Sequence, residues 1–185
     1  MSEPAHTLVL GGARSGKSAW AQRLAENLAG GQPGRLVYLA TGQARDAEMA
    51  RRVSLHQAQR GPLWSTREAP LELCQALTAL DRPEAVILLD CLTMWLSNLM
   101  TMAGLAEDAV AAKGRELAAL LPGLRARVIL VGNEVGQGIV PENALARAFR
   151  DQAGLLHQRL AAVCGRVVLI TAGLPLAFKG ELPCL

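Results

Sequence analysis

The stretch that decides the fold is "TLVLGGARSGKSAW", residues Thr7 to Trp20. Four residues of strand character, Thr7–Leu10, run into Gly11-Gly12, and Gly16-Lys17-Ser18 then opens a segment of helical period. Gly11 to Ser18 match G-x-x-x-x-G-K-[ST], with the apolar strand before and the amphipathic helix after that give this pattern its meaning. The residue types follow from what a polyphosphate demands. Glycines at 11, 12 and 16 let the chain turn so that successive N–H groups point inward, and the following helix adds its positive N-terminal end. Lys17 brings a mobile charge to the β- and γ-phosphates, and the Ser18 hydroxyl can ligate Mg²⁺. All eight residues, Gly11, Gly12, Ala13, Arg14, Ser15, Gly16, Lys17 and Ser18, are therefore read as nucleotide-binding. Arg14 either reaches substrate or phosphate or is simply solvated. The bland alternative is a glycine turn that only joins strand to helix.

Outward from this loop, short apolar runs alternate with longer segments of helical period, the signature of a parallel α/β sheet. The expected strands are Thr7–Leu10, Arg35–Ala40, Ala85–Leu89, Arg127–Val131 and Arg166–Ile170, each nearly continuous in apolar character as for strands covered on both faces. Helices are expected at Lys17–Ala29, Asp46–Gln59, Pro70–Leu80, Thr93–Met102, Glu107–Leu121 and Asn143–Val163. The tail "TAGLPLAFKGELPCL" is expected to wrap over the surface. No repeat, low-complexity tract or linker interrupts the chain, so residues 1–185 read as one P-loop nucleotide-binding catalytic domain. The fold class is α/β: a P-loop NTPase-like (RecA-like) three-layer fold with a mostly parallel central sheet.

A P-loop needs a second acidic group at the end of a neighbouring strand to hold the metal. "AVILLD" supplies Asp90, which could instead cap the helix that follows, or do both. Ligands of a parallel sheet sit beyond the carboxyl ends of its strands. Thr41-Gly42 and Asn133-Glu134 lie on that same rim. Ser18 and Asp90 are the expected metal residues. The long apolar stretch from Ala85 to Ala106 is broken by Asp90, a costly residue in lipid, so it reads as a buried strand and helix and not as a membrane span.

Composition narrows the function. The net charge of +3 over 185 residues is too mild and too evenly spread for a nucleic-acid footprint, and aromatics at 3% leave no base-stacking platform. The four cysteines show no CxxC spacing, so reduced thiols in a cytoplasmic protein are the simplest reading. No N-K-x-D sequence is present to read guanine as in switch GTPases. The residues alone thus give a Mg²⁺-dependent nucleotide-binding protein, with a small-molecule kinase favoured by size. A regulatory module that binds nucleotide without turnover is the alternative from a different class.

Several ordered blocks go further. They are "GGARSGKS" at Gly11, "YLAT" ending at Thr41, "DAEMARRVSLHQAQRGPLWSTREAP" from Asp46, "ILLDCLTMWLSNL" around Asp90, "NEVGQGIVPENALARAFRDQAGLLHQRLA" from Asn133 and the closing "GLPLAFKG". Together they resemble the bifunctional adenosylcobinamide kinase / adenosylcobinamide-phosphate guanylyltransferase family of cobalamin biosynthesis. The resemblance implies two reactions. ATP or GTP phosphorylates the aminopropanol hydroxyl of adenosylcobinamide. GMP from GTP then passes to adenosylcobinamide-phosphate through a guanylyl-histidine, giving adenosylcobinamide-GDP and pyrophosphate.

The matching histidine is His56, which read without the resemblance is a solvated helix residue. Met49, Val53, His56 and Arg60 recur at helical spacing, which would aim His56 and Arg60 off one face. His56 and Lys17 are thus the expected catalytic residues. By position the resemblance also implies nucleotide contacts at Ala40, Thr41, Gly42, Gln57, Ala58, Gln59, Arg60, Glu68 and Asp90. It further implies a homotrimer and no tightly bound prosthetic group, while charge, aromatic content and Asp90 leave no nucleic-acid partner and no membrane insertion expected. Of the other histidines, His6 is expected at the surface before the first strand. His157, where the family typically has Asn, is expected at a structural or rim position.

Overall fold

The computed structural model describes residues 6–42 and 61–185. The expected helix Asp46–Gln59, with His56, Gln57, Ala58, Gln59 and Arg60, lies outside the described residues. Seven strands form one sheet: β1 (His6–Gly11), β2 (Leu36–Ala40), β3 (Trp64–Glu68), β4 (Val86–Asp90), β5 (Arg127–Asn133), β6 (Arg166–Thr171) and β7 (Leu174–Lys179). Their spatial order is β3-β2-β4-β5-β1-β6-β7, with only β7 antiparallel. The helices are α1 (Lys17–Ala29), α2 (Leu73–Ala79), α3 (Leu92–Thr101), α4 (Glu107–Leu120) and α5 (Ala144–Val163).

The continuous apolar runs have the cause that their composition implied. Along β1, β4 and β5 successive residues point to opposite faces, and both faces are buried. Leu8, Ile87, Leu89, Val128 and Leu130 enter one core, while Val9, Val86, Leu88, Ile129 and Val131 enter the other. The second core is closed by α1, whose Trp20, Ala21, Leu24 and Ala25 form one helical stripe across β4 and β5. The first is closed by α2 to α5, which gives the three layers. The Ala85–Ala106 stretch is β4 followed by α3, and no helix among the described residues is long and apolar enough to cross a membrane.

Two expectations are corrected, and one strand was not among those expected. His6 is not a surface residue. It opens β1 at 4% exposure, its Nε2 bonded to the Leu121 carbonyl at 2.7 Å and its Nδ1 accepting from the Val128 N–H at 3.4 Å. The tail after Ile170 does not merely wrap over the surface: Ala172 (φ 51°) and Gly173 (φ 80°) form a two-residue turn that sends β7 back along β6. Positive φ at both central residues suits the twist of a hairpin. Finally, "WSTRE" forms the edge strand β3 beside β2, although only Trp64 is apolar in it.

Candidate functional site

The loop from Gly11 to Ser18 leaves the carboxyl end of β1 and is held mainly through its backbone. Gly16 adopts φ 94° as it caps α1, and Arg14 sits at φ 56°, so two left-handed residues aim the chain around a concave centre. Gly11 must be glycine for a steric reason: a Cβ there would lie 2.5 Å from Ser15 Oγ and 2.6 Å from the Ile170 carbonyl oxygen. On one side the Glu134 N–H donates to Gly11 O at 2.9 Å, and on the other the Gly173 N–H donates to Ser15 O at 2.8 Å. The β6–β7 turn is therefore a buttress of the loop. Sequence reasoning missed that role for Ala172 and Gly173, although a glycine between two apolar runs was a visible turn signal. Lys17 Nζ donates across the loop to Gly12 O at 3.0 Å.

Two cavities flank this loop. One, of about 410 Å³, brings together Lys17, Ser18 and Asp90 with Asn133 of β5 and Met94 of α3. The other, of about 460 Å³, is lined by Gly12, Ala13, Arg14 and Ser15 together with Glu134, Gln137 and Thr171. Asp90 ends β4, and it is not the cap of α3. That place is taken by Cys91, whose Sγ accepts from the Met94 N–H at 3.4 Å. Ser18 and Asp90 are hard oxygen donors on one cavity, a set that fits Mg²⁺ bound alongside phosphate oxygens. Ser15 Oγ and Asn133 Oδ1 are buried beside the loop with no partner among the described residues, so polar capacity remains there for a ligand.

The rim continues across β4, β2 and β3, where Asp90 lies opposite Ala40 and Ala40 opposite Glu68. Here side chains do the fastening. Thr41 is fully buried, with Oγ1 donating to Cys91 O at 2.8 Å and accepting from the Cys91 N–H at 2.9 Å. Asn98 of α3 donates from Nδ2 to Thr41 O at 2.8 Å and to Pro70 O at 3.1 Å, joining the ends of β2 and β3. The Thr41 hydroxyl is thus committed to the scaffold, while Glu68 at the end of β3 is exposed. Gly42 follows beside Met94.

His157 is buried on α5 against Gly132 of β5, where a Cβ would come within 2.6 Å of its Nε2. Burial lowers the pKa of both His157 and His6. Nearby Glu134 partly offsets this for His157, and for His6 the Leu121 hydrogen bond and Asp81 do so. His157 is therefore a core imidazole, and its Nε2 has no partner among the described residues.

The family model described as "Cobinamide kinase / cobinamide phosphate guanyltransferase" matches residues 7–178. A Pseudomonas aeruginosa protein named "Bifunctional adenosylcobalamin biosynthesis protein CobP" is 46% identical over 176 residues, 94% of this chain and 97% of its own. A Salmonella typhimurium protein named "Bifunctional adenosylcobalamin biosynthesis protein CobU" is 42% identical over 183 residues, 93% of this chain and 98% of its own. Among solved structures, an ATPase domain superposes with a TM-score of 0.51 at 14% identity, covering 89% of this chain and 68% of that one. That likeness concerns the P-loop fold alone.

Proposed function

Because this chain belongs to the cobinamide kinase / cobinamide phosphate guanyltransferase family, it is a bifunctional transferase of cobalamin biosynthesis, and we propose the residues that carry each of its two reactions. The observation that carries the kinase reading is the meeting of Lys17, Ser18 and Asp90 on one cavity at the mouth of a glycine loop. The loop N–H groups and the start of α1 hold the β- and γ-phosphates, and Lys17 neutralises charge on the γ-phosphoryl as it moves. Ser18 and Asp90 would hold Mg²⁺, which when bound supplies further charge neutralisation across those phosphates. ATP or GTP serves as the donor. The acceptor hydroxyl oxygen of adenosylcobinamide bonds to phosphorus as the bond to the β-phosphate's bridging oxygen breaks, and the hydroxyl proton passes to water.

In the second reaction a neutral His56 imidazole bonds to the α-phosphorus of GTP and pyrophosphate leaves. An oxygen of adenosylcobinamide-phosphate then takes the GMP, releasing the histidine. Arg60, four residues on in the sequence, is the proposed phosphate partner. Glu68 is the proposed acceptor for guanine N–H groups or ribose hydroxyls, with Ala40, Thr41, Gly42, Gln57, Ala58 and Gln59 around the nucleotide. One domain spanning 1–185 carries both reactions, as a cytoplasmic homotrimer. Four unpaired cysteines support the compartment, and the exposed Leu174, Leu176 and Phe178 along edge strand β7 support an interface between copies.

Incubation with α-labelled GTP tests the histidine. Label should remain acid-labile on the wild-type protein and on His157→Ala, and should vanish from His56→Ala while phosphorylation of cobinamide by ATP survives. Label that persists in His56→Ala and vanishes in His157→Ala would overturn the assignment.

A further inference from the structure

The kinase must bring a bulky acceptor to the γ-phosphate, and the question is from which side. Phosphoryl transfer proceeds with attacking and leaving oxygens roughly in line, so donor and acceptor occupy opposite flanks of the transferred group. The two cavities beside the loop offer two separate places of this kind. The one lined by Arg14, Ser15, Gln137 and Thr171 lies against the first half of the loop, before the lysine. The one lined by Lys17, Ser18 and Asp90 lies at the far end, where the kinase reading puts the γ-phosphoryl.

This second cavity is not closed. At Ser97 and Phe149 it runs into a further pocket of about 250 Å³ between α3 and the start of α5, whose lining is mostly apolar: Met100, Leu145, Ala146 and Phe149. The groove follows from helical spacing. Met94, Ser97 and Thr101 stand one turn apart on α3, and Leu145 and Phe149 one turn apart on α5, so both helices turn a matched face to it. Met94 is 37% exposed and Leu145 53%, so apolar side chains on both walls remain open to a ligand. At the inner end Asn133 adds a buried carbonyl oxygen without a partner among the described residues. The groove thus grades from polar to apolar. The acceptor offers chemistry for both ends, since a hydroxyl and an amide end a short arm on a large macrocycle whose rim carries methyl groups between its amide side chains.

We infer that the cobinamide acceptor is held in the groove between α3 and α5, with its hydroxyl-bearing arm beside Lys17, Ser18 and Asn133 and its macrocycle edge on Leu145, Phe149 and Met100. This rests on the kinase reading above and names the acceptor side of that site. The 250 Å³ pocket takes the arm, the 410 Å³ cavity is shared between its hydroxyl end and the γ-phosphoryl, and the macrocycle stays largely in solvent at the outer end. The acceptor then meets the nucleotide only at the γ-phosphoryl, so away from Lys17 and Ser18 the two substrates' affinities are set by separate residues.

Steady-state kinetics with cobinamide and ATP, read with a fluorescent ATP analogue and thermal melting, test this. Phe149→Ala and Leu145→Ala should each raise KM for cobinamide by about tenfold, the effect of a few methylenes lost from an apolar contact, and leave KM for ATP unchanged. Ser97→Phe, which plugs the junction of the two pockets, should lower kcat/KM for cobinamide by about a hundredfold while ATP-analogue binding and Tm stay at wild-type values. Arg14→Ala and Gln137→Ala, in the other cavity, should show the reverse split. Unchanged cobinamide KM in the α3 and α5 variants, or equal losses for both substrates, would overturn the groove. Failure of the wild-type protein to phosphorylate cobinamide would overturn the kinase reading and the groove with it.

Discussion

The two ends of the ligand rim are built by different means. At the centre of the sheet the phosphate loop is fixed through its own backbone: two left-handed residues, one obligatory glycine, and hydrogen bonds from the Glu134 and Gly173 N–H groups. At the edge, the ends of β2, β3 and β4 are joined by two buried polar side chains, Thr41 and Asn98, that reach 50 and 57 residues along the chain. The ends are also far apart. From Glu68 on β3 to β1 there are four strand steps, about 19 Å at the usual spacing. Glu68 is therefore beyond reach of a phosphate seated in the loop, whereas Ala40–Gly42 adjoin the cavity of Lys17, Ser18 and Asp90 through Cys91 and Met94.

Breaking each end should have different consequences. Gly11→Ala is the harshest change, because one of the atoms its Cβ meets is the Ile170 carbonyl oxygen, which cannot rotate away. ATP binding, followed by fluorescence titration, should be lost, with a stability cost of about 1–3 kcal/mol from overpacking. Asn98→Ala should act the other way round. It strips the hydrogen bonds from two carbonyls, Thr41 O and Pro70 O, at a cost of about 2 kcal/mol, or about 4–8 °C in Tm for a chain of this size. Cobinamide phosphorylation at 25 °C should stay within about twofold of wild type, while labelling by α-labelled GTP falls further. A larger loss of kinase than of labelling would show that the two ends do not work separately.

The same contrast explains what the sequence disclosed. The loop is legible because eight contiguous residues contain all of its chemistry, and the strands around it because burial on both faces leaves continuous apolar runs. β3 is not, because "WSTRE" is an edge strand. It is held by pairing with β2, by the edge-on contact of Trp64 with Tyr38 and by the Trp64 Nε1 bond to Glu26, all supplied from elsewhere in the chain. β7 was obscured by Pro175, which argues against a strand unless the strand lies at an edge, as this one does. His6 gave no local sign of burial, since its cover is the turn at Leu121, 115 residues away. Asp90 was correctly placed on the rim, and Cys91, not Asp90, proved to be the cap. The histidine proposed to carry GMP rests on family resemblance, because nothing in the spacing around His56 separates it from a solvated helix residue.

The smallest effect concerns the strands beneath the loop. His6 lies at the foot of β1 and His157 against β5, and burial lowers the pKa of each below the usual imidazole value. In the unfolded chain both titrate near 6.5, so on acidification the unfolded state takes up protons first. Stability should therefore be at its plateau above about pH 7 and fall as pH drops through 6.5 toward 5, by at most about 1.4 kcal/mol per pH unit for each histidine. His157→Asn should remove its share of that slope without touching the His6 share, because the two imidazoles answer to different neighbours, Glu134 and Asp81. Thermal melts of wild type and His157→Asn between pH 5 and 8 measure this. Parallel curves would mean that His157 keeps an ordinary pKa, and hence that the space left for it by Gly132 admits water.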